Sequence, residues 1–230
     1  MRPLLKLLCI IIIIVLLGAF LGWAINGLVE EEEDHADKLS IEEASKIILT
    51  TPDFSKLSNK ETDLIEITSS SIWDNTKLQL FKSVGDSSLE TFIVTNQEAF
   101  HIGIGFGGLG VTSVVPYDVN NDGTLDLVYA YSFGSGIHRS VISWFDLKSY
   151  TEHTIGDLPE RTEFRTYDLI LKIESDEIVV YRIKGMNEGE NNFDFLRAYP
   201  TEKDIDDLNV VKDGTLIREN GDLYNKQVQN

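Results

Sequence analysis

Cysteine is all but missing from this 230-residue chain, in which Cys9 stands alone. A single cysteine closes no disulfide within the chain, and lying inside an apolar run it leaves everything downstream without a thiolate for a structural zinc site. Whatever folds there is held by its core. Basic residues are scarce too, with 20 Lys and Arg against 38 Asp and Glu, for a formal net charge of -18. Such a surface repels phosphate backbones, which argues against a nucleic-acid partner and favours solubility and cations. The four histidines, at positions 35, 101, 138 and 153, show no H-E-x-x-H or comparable spacing, so no catalytic zinc site is indicated.

What is present begins with an anchor. Arg2 and Lys6 precede an uncharged stretch that runs from Leu7 through Ala24 to Val29 before Glu30 restores charge. At about 1.5 Å per residue, roughly 20 such residues cross a hydrocarbon core of about 30 Å. Residues 1–29 are therefore expected to form a retained transmembrane helix. The alternative is a signal peptide cleaved after the small-x-small sequence Gly22-Trp23-Ala24. Lys6 lies just before Cys9 and the apolar run follows it, an arrangement unlike a lipoprotein cysteine. Basic residues flank only the N-terminal side, so either outcome exports the rest of the chain.

Residues 30–39 form an acidic linker, a spacer off the membrane. Residues 40–230 are enough for one core, and 42% hydrophobic composition is ordinary for a globular domain, so a single exported domain is expected. Ser40-Ile41-Glu42-Glu43 reads as a capping box opening a short helix, with Ile41, Ala44, Ile47 and Ile48 at helical spacing and Pro52 as the stop. From Leu64 the period becomes two. Strands are expected at Leu64–Thr68, Lys77–Phe81, Glu90–Val94, Val111–Val115, Leu125–Phe133, Ser140–Phe145, Asp168–Glu174, Glu177–Lys184 and Phe195–Tyr199.

Gly85-Asp86 and Asn96-Gln97 break the early strands, Ser175-Asp176 reads as a hairpin turn, and Asp213-Gly214 and Asn220-Gly221 are turn signals. A second short capped helix is expected over Thr201–Leu208. Short connections without crossover helices predict a mostly β fold of antiparallel meander sheets, propeller-like or sandwich, with one or two short helices after the transmembrane segment.

One segment carries recognisable chemistry: Asp118-Val119-Asn120-Asn121-Asp122-Gly123-Thr124-Leu125-Asp126. Oxygen side chains fall at positions one, three, five and nine, glycine falls at six where the chain must turn sharply, and Thr124 offers its carbonyl at seven. This is how a tight loop wraps oxygens around calcium, with Asp118, Asn120, Asp122, Thr124 and Asp126 as the ligands. The competing reading is an Asx-rich turn between two strands. An EF-hand would need a glutamate at position twelve, where Tyr129 stands, and helical flanks; here both flanks are strand-like.

This strand, loop and Leu127-Val128 strand opening resembles the FG-GAP/VCBS-type repeat of integrin-like β-propellers, and Gly105-Phe106-Gly107-Gly108-Leu109-Gly110 is loosely similar to the family's Phe-Gly elements. The resemblance covers about 25 residues and occurs once. It implies metal-stabilised structure and surface adhesion or recognition of a protein or glycan partner. The domain's length suits roughly three four-stranded blades, fewer than an ordinary closed ring.

Other signals are weaker. Gly103 to Gly108 satisfies G-x-G-x-x-G, but β-branched residues and Pro116 follow where a dinucleotide site needs a helix. Gly134-Ser135-Gly136 with His138 and Arg139 offers the alternative function, an exported hydrolase or sensor domain. Phe133 stands where the nucleophile motif requires glycine, so no complete catalytic set is assembled and the chain reads as non-enzymatic. Asn187 to Asp194 is a second acidic loop without the alternating ligands, expected to be a solvated hairpin. Tyr129, Tyr131, Phe133 and Trp144 form an aromatic stripe for which core packing is the default.

The anchor reading predicts that the chain stays with membranes through alkaline carbonate extraction, and that protease added outside intact cells reaches the domain. Release by carbonate would remove the integral anchor, and protection from protease would reverse the orientation.

Overall fold

The computed structural model describes residues 37–51, 63–85, 88–158, 166–184, 193–199, 205, 208–219 and 222–228. The run from Leu7 to Val29 and most of the acidic linker lie outside them. Among the described residues no helix is long and apolar enough to cross a membrane.

Helix α1, Ile41–Leu49, starts as its capping box dictates: the Glu43 N–H donates to Ser40 Oγ, and the Ser40 N–H donates to Glu43 Oε2. It buries Ala44 and Ile48 against Phe81, Phe92 and Val94. Those residues belong to sheet 1, an antiparallel meander of β1 Asp63–Glu66, β2 Gln79–Val84, β3 Leu89–Val94 and β4 Ala99–Ile102. A second helix, α2 Ser70–Thr76, intervenes between β1 and β2 where none is expected. Its sequence has no apolar repeat and only Ile72 is buried. Its ends define it instead: Ser69 Oγ accepts from the Ile72 N–H, and Lys77 takes a left-handed conformation at φ 55°. Lys77 is thus a helix terminator and not the start of a strand.

Sheet 2 is the meander β5 Gly110–Tyr117, β6 Asp126–Phe133, β7 Arg139–Asp146 and β8 Thr151–Thr154. Sheet 3 contains β10 Leu169–Glu174, β11 Glu177–Ile183, β12 Val210–Glu219 and β13 Asp222–Gln227, again antiparallel neighbours, with β9 Gly156–Leu158 added beside β13. The β9–β13 pairing is parallel, an exception to the expected antiparallel pattern. Ser175 and Asp176, both at positive φ, make the anticipated two-residue hairpin.

Two further expectations change. Asp213-Gly214 is not a turn but lies within β12, where the register shift opposite Val180 and Tyr181 makes Asp213 a bulge residue. Phe195–Tyr199 is not a strand: Asp194 Oδ1 accepts from the Leu196 N–H and turns the chain, and Tyr199 alone bridges to Ser113. The helix expected at Thr201–Leu208 falls mostly outside the described residues, as does Asn220-Gly221, although Glu219 and Asp222 pair in register on either side.

Sheet 2 is the middle layer. Val128 and Ala130 of β6 pack with Leu169, Leu171 and Val180 of sheet 3, while the alternate Leu127, Tyr129 and Tyr131 pack with Leu80, Ile93 and Ile102 of sheet 1. The aromatic stripe is accordingly divided. Tyr129, Tyr131 and Phe133 face sheet 1, and Trp144 faces sheet 3. The Tyr129 hydroxyl, wholly buried, donates to Glu152 of β8.

The junction of these layers holds a lysine. Lys82 of β2 is 0% exposed, and its ammonium donates to Val111 O and Phe195 O at 2.8 Å each and to Leu109 O at 3.2 Å. Burial pushes its pKa down to about 7, against the opposing charges of Asp194 and Asp168. Lys82→Met removes one donor from three carbonyls and should cost on the order of 3 kcal/mol near neutral pH. Between about pH 7 and 10.5 the unfolded chain binds a proton that the folded chain has released, so raising pH stabilises the wild type relative to the variant. Denaturant titrations of both proteins across that range should show the gap widening; a gap that narrows, or none, would sink this role for Lys82.

Candidate metal centre

The loop from Asp118 to Leu125 joins β5 to β6. Gly123 sits at φ 84°, and a Cβ there would meet nothing within 4 Å, so glycine is required by the backbone angle and not by lack of room. Asn121, also left-handed at φ 61°, is of the residue type that tolerates it best after glycine.

Carboxylates organise the turn from within. Asp118 Oδ1 accepts from the Asp122 N–H at 3.1 Å and its Oδ2 from the Gly123 N–H at 3.0 Å. Asn120 Oδ1 also accepts from the Asp122 N–H, and Asp122 Oδ1 from the Thr124 N–H at 2.8 Å. Asp126, 0% exposed, points inward: its Oδ2 accepts from the Val119 N–H and its Oδ1 from the Leu147 N–H. The five sequence candidates therefore share one loop, but they are not arranged alike. Asp118, Asn120, Asp122 and Thr124 take part in the loop's own hydrogen bonds, whereas Asp126 anchors the loop to the neighbouring β7–β8 turn.

Among the described residues no group of three or more His, Cys, Asp and Glu side chains is gathered as a preformed metal site. The donor set is nevertheless the oxygen-only kind that hard cations take. Electrostatics point the same way. Burial raises the Asp126 pKa, the Val119 and Leu147 N–H groups oppose that rise, and the charges of Asp146 and Asp122 add to it. Asp122 is lowered, first by the Thr124 N–H and then by Lys148, whose ammonium lies 3.2 Å from Asp122 Oδ2. A bound cation would relieve the repulsion that Lys148 relieves in part, so the residues present fit such an ion.

Three contributors escape sequence reasoning: Asp146, Lys148 and Arg218. Asp146 Oδ1 caps the β7–β8 turn by accepting from the Lys148 and Ser149 N–H groups, a local Asx pattern that could have been read. The reach of Lys148 across to Asp122, and of the Arg218 guanidinium from sheet 3 to Asp118 O, follows only from sheet pairing and packing.

The other candidates resolve differently. His138 Nε2 lies 3.0 Å from Asp168 Oδ1, whose side chain is 4% exposed, and no hydrogen bond among the described residues joins Ser135 to His138. His101 pairs with Glu90, and His153 stacks on Trp144. His35 lies outside the described residues. The G-x-G-x-x-G run leads into strand β5, and its last glycine serves close packing: a Cβ on Gly108 would lie 2.4 Å from Ser132 O. Of the second acidic loop only Phe193 and Asp194 are described. Set against protein-family models, curated proteins and solved structures, the chain finds no match in any of the three.

The hydrogen bond to Asp168, aided by its charge and opposed by burial, raises the His138 pKa above the ordinary 6.5. The pair therefore stabilises the fold fully below that value and loses its contribution as pH rises through the higher folded value. Asp168→Asn should remove on the order of 1 kcal/mol at pH 6, the scale of a partly exposed charge-assisted hydrogen bond, and less at pH 8. Thermal melts over this range check it, with an equal deficit at both pH values as the refuting result.

Proposed function

We propose that this chain is a membrane-anchored, extracytoplasmic β domain whose loop at residues 118–126 takes calcium, and that it serves as a non-enzymatic recognition or adhesion module for a protein or glycan partner. What carries the proposal is the oxygen-only donor spacing of Asp118, Asn120, Asp122, Thr124 and Asp126 along one short segment that turns sharply at Gly123, with the Lys148 ammonium on Asp122.

Oxygen donors with three carboxylates suit calcium's 6 to 8 ligands at about 2.3–2.6 Å, and the flexible geometry suits it better than magnesium's octahedron. Zinc would ask for nitrogen or sulfur, which the loop lacks. Asp118, Asn120, Asp122 and Asp126 would supply side-chain oxygens and Thr124 its carbonyl. The ion would supply positive charge and stiffness at the end of the sheet.

Consecutive four-stranded meanders packed face to face support a propeller-like arrangement over a two-layer sandwich, because sheet 2 is covered on both faces. The basic-then-apolar N-terminus supports the anchor and the exported orientation. The hydrolase or sensor alternative draws on the His138–Asp168 pair, and the absence of a Ser135–His138 hydrogen bond among the described residues weighs against its nucleophile.

Calcium at about 100 times its dissociation constant should add about 2.7 kcal/mol, a rise of roughly 5–10 °C in Tm at about 2–4 °C per kcal/mol. Chelation should reverse it. Asp122→Ala should abolish most of the response, and Asp194→Ala should leave it intact. Absence of calcium binding by calorimetry at millimolar concentration, using the full chain in lipid nanodiscs, would leave the Asx-rich turn as the right reading.

A further inference from the structure

Beside the loop lies a cleft of about 450 Å³, within the usual range of small-ligand pockets. Its walls come from three places: Asn75, Thr76 and Leu78 at the end of α2, Thr124 of the loop, and Leu147 and Tyr150 of the β7–β8 turn. In a chain with a net charge of -18, no residue lining this cleft is charged. Asp122 and Lys148 are close in sequence to both walls but pair with each other.

Tyr150 gives the cleft its chemistry. Its backbone is left-handed at φ 56°, a conformation that is uncommon for a bulky side chain and that stores strain. The turn enforces it: the Tyr150 N–H donates to Asp146 O at 2.8 Å, while the Asp146 carboxylate caps the Lys148 and Ser149 N–H groups. The ring stacks on Phe100, with centroids 4.8 Å apart and planes 13° apart, and Phe100 in turn packs on Phe145 at 5.5 Å. Tyr150 is nonetheless 49% exposed. The result is an aromatic platform fixed from behind, flanked by one amide and two hydroxyls.

We infer that this cleft binds a neutral oligosaccharide, with a sugar ring stacked on Tyr150. An ionised ligand would find no counter-charge in the lining. A purely apolar ligand would leave the Asn75 amide oxygen facing a surface that offers no hydrogen bonds, whereas Thr76 Oγ1 already donates to Ile72 O and accepts from the Leu78 N–H and the Thr124 side chain bonds to Asp122. A pyranose with equatorial hydroxyls presents what the walls require: axial C–H bonds on its faces for the aromatic ring, and hydroxyls at its rim. Asn75 commits Nδ2 to Ser71 O, which leaves its amide oxygen to accept from a sugar hydroxyl. β-Linked gluco-configured chains present such faces most regularly.

The inference deepens the recognition reading and shares Thr124 with the proposed calcium loop, so its test separates the two. Cellotetraose is titrated against the full chain in lipid nanodiscs, free of sugar detergents, by calorimetry and saturation-transfer NMR, with calcium and with chelator. Saturable binding is expected. Tyr150→Asn, which tolerates the left-handed backbone, should weaken it at least tenfold without lowering Tm, and Tyr150→Phe should stay within about threefold of wild type because stacking does not need the hydroxyl. If the chain binds calcium but cellotetraose does not bind, the cleft assignment falls and the calcium reading stands. If sugar binds through Tyr150 while calcium does not bind, the calcium reading falls and the cleft stands. Sugar binding that survives Tyr150→Asn, or a deca-proline peptide binding through Tyr150 in the sugar's place, overturns the inference.

Discussion

An ammonium group withdrawn from water must find its hydrogen bonds within the protein, and Lys82 finds them on three carbonyls from two separate stretches of chain. Leu109 and Val111 bracket the entry to sheet 2, and Phe195 belongs to the segment that crosses back from sheet 3. None of these can shift without leaving a buried charge or a buried carbonyl unpaired, a penalty of several kcal/mol. The stitching continues one residue further on. At the bulge in β5, the Thr112 hydroxyl donates to Leu169 O at 2.9 Å, and Ser113 Oγ donates to Tyr199 O at 2.6 Å while accepting from the Leu171 N–H at 2.8 Å. The first strand of sheet 2 is thereby tied to sheet 1 on one side and to sheet 3 on the other.

A layer covered on both faces has a different composition from a half-exposed one, and β6 shows the difference. From Leu127 to Tyr131 every residue is buried. Such a strand cannot alternate apolar with polar, because both sets of side chains meet protein. The edge strand β8 relaxes this rule: Thr151 to Thr154 are all exposed by residue, although Glu152 still accepts from the buried Tyr129 hydroxyl.

The acidic end of sheet 2 follows from strand pairing. Because β6 runs antiparallel to both β5 and β7, the β5–β6 loop and the β7–β8 turn lie at the same end. Asp126, at the start of β6, can then hold the Val119 N–H from one and the Leu147 N–H from the other. Repulsion among Asp122, Asp126 and Asp146 is concentrated there by topology, and Lys148 is placed by the same turn to reduce it. The two connections are coupled through one buried carboxylate, so a change in the loop is felt in the turn that carries Tyr150.

Local rules were enough for much of this. The capping box at Ser40, the two-residue hairpin at Ser175-Asp176, the β6 strand and the strand-flanked loop at Asp118 are all consequences of residues a few positions apart, and each was legible before the fold was known. The same is true of Gly123, since a left-handed angle is a property of the turn itself. What failed locally failed for identifiable reasons. Helix α2 has no apolar stripe and rests on its caps and on Ile72; Asp213-Gly214 has turn composition but is held in β12 by its neighbours on both sides; and β4, β8 and β9 are short, polar or both. The sequence by itself determined the β character and which oxygens share one loop, because both depend on contacts within a few residues. Only the tertiary structure decided that Lys82 would be buried at a junction, that Lys148 would meet Asp122, and that Tyr150 would stand over a cleft walled by α2 and the loop, because those partners are separated by more than twenty residues and meet only when strands pair and sheets pack.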